Sequence, residues 1–137
     1  MNAAWQTVLT GFPVLLLHLA TTTALFFIGA ALYIWLTPYR EIALIRAGNV
    51  AAAIAFAGQM LALGIPLGSM MAHSVNMPDL LVWGAVTVML QLIAFAVVAV
   101  IIRQLPQAIE RGEVAPAIVL AAGQILAGIF NAAAMSG

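Results

Sequence analysis

The chain has 137 residues, of which 66% are hydrophobic and 6% charged, and its four arginines and four acids cancel. A soluble domain carries roughly a quarter charged residues, so a chain with a mean hydropathy of +1.18 lacks the polar material to coat a globule and belongs in a bilayer. The charge balance leaves no basic face for nucleic acid, and the lack of Cys excludes disulfides, thiolate catalysis and thiolate metal sites.

Residues 1–10 contain no Lys or Arg, which argues against a secretory signal, and the apolar run that follows at 11–36 is read as a retained transmembrane helix. Further apolar runs follow at 50–72, 80–102 and 114–135. Each can cross a hydrocarbon core of about 30 Å, which needs about 20 helical residues, and the first has length to spare. Spans this apolar must be helical, because a strand would leave backbone groups unpaired in lipid. The expected fold is therefore an all-α integral membrane protein with four transmembrane helices in a single membrane domain over residues 1–137.

The connections at 37–49, 73–79 and 103–113 hold the charge. Arg40 and Arg46 lie in the first and Arg103 and Arg111 in the third, which share one side of a four-helix serpentine. The positive-inside rule makes that side cytoplasmic and places both termini and the 73–79 turn outside. Pro38, Pro78 and Pro106 punctuate helix boundaries, whereas Pro66 lies within the second run and predicts a bend there. Trp5, Trp35, Tyr39 and Trp83 fall near expected interfaces, where amphipathic rings anchor at headgroup level.

An internal repeat organises the chain. Residues 45–65 and 109–129 share nine identities in 21 positions at an interval of 64, including Gly48/Gly112 and Gly64/Gly128. A unit of two crossings keeps both copies in the same orientation, so repeat one (11–72) and repeat two (80–135) are expected as tandem parallel helical hairpins related by a pseudo-twofold axis along the membrane normal. Ala53, Ala57, Gly64 and Gly68 form a small-residue stripe on the second helix, and Ala117, Ala121, Gly128 and Ala132 form one on the fourth. Such faces let backbones approach in lipid, so these two helices are expected to share an interface, with Gly64xxxGly68 as its close-contact element.

Gln59, Gln91 and Gln124 each fall within about two residues, or roughly 3 Å, of the centre of their span. Thr21, Thr22 and Thr23 lie near the same level, with His18 about a turn further out and Asn131 near the end of the fourth run. This polar belt reads either as interhelical hydrogen bonding or as a path for a small polar solute or ion. His18 is the one side chain within a span able to titrate near neutrality. With no acid deep in any span, a proton-driven exporter is disfavoured. The sequence has no HExxH, Gly-rich phosphate loop or GxSxG, and its connections are too short for an aqueous catalytic domain, so no enzyme and no cofactor are expected. His18 and His73 lack the carboxylate or thiolate company of a metal site.

The two junctions read REIALIRAGNVAAAIAFAGQ from Arg40 and RQLPQAIERGEVAPAIVLAAGQ from Arg103. Over about residues 12–135 the chain resembles the bacterial family called domain of unknown function 350, small inner-membrane proteins built from tandem two-helix units. The resemblance points to Glu41, Gly48, Asn49, Glu110, Gly112, Glu113 and Asn131 as motif positions. It implies no reaction, and by association an envelope-stress or membrane-maintenance setting. Read physically, Asn49 and Glu113 sit where they can cap helices, and Gly48 and Gly112 supply turns that other residues would strain. The resulting expectation is a non-enzymatic, homo-oligomeric membrane-organising module in contact with lipid and with other membrane-maintenance proteins. The competing expectation is a small channel or facilitator that uses the glutamine and threonine belt.

Overall fold

A computed structural model describes residues 2–137, which form six helices: α1 Asn2–Leu36, α2 Glu41–Arg46, α3 Val50–His73, α4 Met77–Ile101, α5 Leu105–Glu110 and α6 Val114–Met135. Four of these, α1, α3, α4 and α6, are long and apolar enough to cross a membrane. Two boundaries differ from the sequence reading. Helix α1 starts at Asn2, not residue 11, and runs unbroken through Pro13, because the preceding segment contains no breaker of its own. The first and third connections each contain a helix, since Leu44 and Ile45 of α2 and Leu105, Ala108 and Ile109 of α5 turn an apolar side onto the ends of the long helices.

Both short helices end in the same turn. The amides of Ala47, Gly48 and Asn49 donate to the carbonyls of Ala43, Ile45 and Leu44, and those of Arg111, Gly112 and Glu113 donate to Gln107, Ile109 and Ala108. Every partner is displaced by 64 residues. Gly48 at φ 85° and Gly112 at φ 78° occupy left-handed backbone, which explains the glycine at each. Beyond the turn the two copies diverge. Asn49 caps α3 by accepting from the Ala52 amide at 3.0 Å, and its own amide donates to the Ile109 carbonyl at the end of α5 at 2.8 Å. The two arginine-bearing connections therefore meet. Glu113 occupies the equivalent position before α6 but forms no capping bond; its carboxylate turns to the exposed Arg111 at 2.7 Å. The expected cap holds at Asn49 and fails at Glu113.

The most extensive helix contact joins α3 and α6, as the small-residue pattern predicted. Gly58 lies so close to α6 that a Cβ there would sit 2.5 Å from that of Ala121, and a Cβ on Gly128 would stand 2.7 Å from the Ala62 carbonyl oxygen. Contacts advance along both helices together, from Asn49 with Ile109 through Gly58 with Ala121 and Ala62 with Gly128 to Ser69 with Ala132, so α3 and α6 run parallel. The face of α3 differs from the predicted one. A Cβ on Gly68 would meet nothing within 4 Å and one on Gly64 only Phe26 of α1 at 4.0 Å. Ala57 is exposed, and the buried stripe is Ala51, Ala55, Gly58 and Ala62. On α6 the predicted Ala117, Ala121 and Gly128 are buried as expected.

Helices α1 and α4 pack around this pair. Gly29 admits Leu63 and Val88, and Gly84 admits Leu25. The amino-terminal half of α1 has no such cover, and Trp5, Leu9, Phe12 and Leu15 through Leu17 remain exposed.

Candidate functional site

Polar side chains gather in two places, one at the end where α1 turns into α2 and one along the α3/α6 seam. At the first, α1 closes with the Thr37 amide on the Tyr33 carbonyl at 3.0 Å, and the chain folds back so that α2 begins against its end. Tyr33 and Glu41 are fully buried and Tyr39 nearly so. The Tyr33 hydroxyl donates to Glu41 Oε1 at 3.1 Å, and Phe95 of α4 packs edge-on against the Tyr33 ring at 5.2 Å. The second carboxylate oxygen of Glu41 and the Tyr39 hydroxyl are buried without a partner. Burial pushes the Glu41 carboxyl up to about 7, although the Tyr33 hydrogen bond pulls the other way. Burial, and after it the Glu41 charge, raises the Tyr39 phenol as well.

Glu41 was legible only as a motif position. Its burial depends on a six-residue helix too short to register as periodicity. Tyr39, expected as an interfacial anchor, is instead enclosed beside it, whereas Trp5, Trp35 and Trp83 are exposed as anchors must be.

Gln59 and Gln124 at the seam, and Gln91 on α4, are all fully buried. The Gln124 amide donates to Gln59 Oε1 at 2.6 Å, tying α6 to α3. Gln59 Nε2, Gln124 Oε1 and both polar atoms of Gln91 have no partner. The two joined glutamines are 65 residues apart, one more than the repeat interval. The signal was present in the sequence, since each copy carries a Gly-Gln pair, at 58–59 and at 123–124. Asn131 of α6 donates to the Thr87 hydroxyl at 3.2 Å, and Thr87 donates to the Met135 sulfur at 3.5 Å. Sequence reasoning missed Thr87, the lone threonine of α4, one turn before Gln91.

The remaining belt members stand apart. The Thr22 hydroxyl is shielded and unpartnered, and Thr22 and Thr23 line a shallow groove of about 210 Å³ with Gly64 and Gly68. His18 is half-buried, and its Nδ1–H donates to the Val14 carbonyl of its own helix at 2.9 Å. Glu110, Gly112 and Glu113 are exposed. The Asn49 amide reaches the Glu110 carbonyl at 3.4 Å, so that residue contributes backbone, not its acid.

The bonded and unbonded amides respond oppositely to the same substitution. Gln59→Leu leaves the Gln124 donor unpaired and is expected to cost about 1–3 kcal/mol, whereas Gln91→Leu removes two unpaired groups and is expected to be neutral or stabilising. Thermal unfolding in detergent, followed by circular dichroism, reads both; equal losses would show that Gln91 is bonded.

Chemically, the first cluster can hold a proton and the second can lock helices. Among the described residues no three His, Cys, Asp or Glu side chains converge on a common point. The model of the family described as Domain of Unknown Function (DUF350) matches residues 7–135. The UPF0719 inner membrane protein YjfL of Escherichia coli K12 is 36% identical over 121 residues, covering 83% of this chain and 92% of the relative. The protein of the same name from Escherichia coli O157:H7 matches equally. No solved structure matches the chain.

Proposed function

The chain belongs to the DUF350 family, and on that premise we propose that it is a multi-pass inner-membrane protein without enzymatic activity. It assembles with further copies and organises the bilayer around it through protein and lipid contacts. The observation that carries this reading is a division between closed and open surfaces. The α3/α6 seam is closed to backbone contact and bridged by Gln59 and Gln124, so it offers no passage between the two hairpins of one chain. The face bearing Gly64 and Gly68 is open, and α1 is the least buried of the four spans. A small-residue face without a Cβ neighbour suits close approach of another helix in lipid, where packing drives association.

The identical turns after α2 and α5 and the parallel run of α3 and α6 support two tandem hairpins related by a pseudo-twofold axis along the membrane normal. The meeting of the two arginine-bearing connections supports one cytoplasmic face, with both termini periplasmic. Other membrane-maintenance proteins are further partners consistent with this role.

Single-molecule photobleaching of labelled protein in liposomes tests the assembly. Oligomers are expected, shifting toward monomers in Gly68→Leu; monomers at every protein-to-lipid ratio would refute it. The orphaned amide of Gln91 favours one rival reading, a facilitator. Ion or solute flux in the same liposomes, abolished by Gln91→Leu, would establish the rival. Reaction of a Ser74→Cys thiol from the cytoplasmic face would invert the orientation.

A further inference from the structure

At the end of the molecule away from the arginine-bearing connections, the last turn of α3, the start of α4 and the end of α6 surround a crevice of about 380 Å³. Met70, His73, Ser74, Asp79, Trp83 and Met135 line it. Met70 is nearly buried, and Met135 packs against the same cluster. The Met135 sulfur accepts from Thr87, which is itself held by Asn131, so one thioether is fixed by a two-step relay. The Nδ1 of His73 lies 2.7 Å from the Ser69 carbonyl. A carbonyl only accepts, so the hydrogen sits on Nδ1, and the neutral ring carries its lone pair on Nε2. Asp79 is the only formal charge in the lining, and all four arginines lie in the other connections.

We propose that this crevice binds one soft monovalent metal cation, Cu(I) or Ag(I), through the sulfurs of Met70 and Met135 and Nε2 of His73. Trp83 lines the rim, and Asp79, whose Oδ2 accepts from the Asn76 amide at 2.9 Å, supplies the balancing charge. The donor set selects the class of ion. Thioethers favour Cu(I)-like cations, whereas calcium and magnesium require oxygen ligands and zinc favours thiolate, imidazole and carboxylate. In a chain without cysteine, methionine is the only soft donor available. The ion binds without change of oxidation state, displacing water.

Equilibrium dialysis of the full chain in detergent, with silver as a redox-inert probe, tests the assignment. One equivalent of Ag(I) per chain is expected. Affinity is expected to fall at least about tenfold in His73→Ala, Met70→Leu and Met135→Leu, the loss typical of disturbing a metal site. The leucine variants keep the apolar volume, and Met89→Leu, on the exposed face of α4, should bind like the parent. X-ray absorption of the Cu(I) form should report both sulfur and nitrogen ligands. No binding, binding indifferent to all three substitutions, or zinc bound as tightly as silver would overturn the proposal.

Discussion

Valine at Gly58 or Gly128 is expected to cause the largest loss of stability of any single substitution in the chain. A Cβ at either position would collide with the opposing helix, at Ala121 or at the Ala62 carbonyl, and neither neighbour is the end of a flexible side chain. The seam can respond only by moving apart, which also lengthens the Gln59–Gln124 bond. Overpacking of this kind costs about 1–3 kcal/mol, and separation of two backbones in contact belongs at the upper end of that range. Gly64→Val and Gly68→Val provide the contrast, since their surroundings are open. Unfolding in detergent should show a large drop for the first pair and little change for the second. Equal losses at all four glycines would mean that α3 presents a different face to α6.

The second large effect is a dependence of stability on pH that originates at Glu41. Its carboxyl is raised from 4.5 to about 7 by burial in the folded chain. Below 4.5 the group is protonated in both folded and unfolded states and contributes no difference. Between 4.5 and about 7 the unfolded state ionises while the folded state holds its proton, so stability falls as pH rises and levels off once the folded chain also ionises. A displacement of this size corresponds to up to about 3 kcal/mol. Glu41→Gln should abolish that decline and leave the variant more stable than the parent above pH 7. Tyr33→Phe removes the hydrogen bond that favours the carboxylate and should extend the decline to higher pH without moving its onset. Denaturation of parent and variant at pH 5 and pH 8 resolves these outcomes, and parallel profiles would locate the pH dependence elsewhere.

What the sequence made legible was local or one-dimensional. Span number follows from apolar length, the glycine turns from a repeated motif, and the Asn49 cap from residue type just before an apolar run. The choice of α3 face was not legible because small residues recur on every side of it, at Ala51, Ala53, Ala55, Ala57, Gly58, Ala62, Gly64 and Gly68. When several faces are equally smooth, the partner decides between them, and periodicity carries no information about the partner. The joined glutamines were obscured by a single residue of displacement between the copies. Glu41 was obscured for a different reason: a charged residue in a connection reads as solvated until the fold closes over it. The central belt resolved into separate bonds because equal depth does not bring side chains to the same azimuth.

The uninterrupted α1 has a consequence for the lipid itself. Its 35 residues at about 1.5 Å each make a rod of roughly 52 Å, against an oily slab of about 30 Å. Thr7 and Thr10 return their hydroxyls to carbonyls of the rod, at 3.0 and 2.8 Å, which lowers what those two side chains require of surrounding water. A shaft so long and so greasy either leans steeply or drags the nearest leaflet up along its flank, and either posture imprints a local dimple or swelling on the sheet of lipid in which it stands.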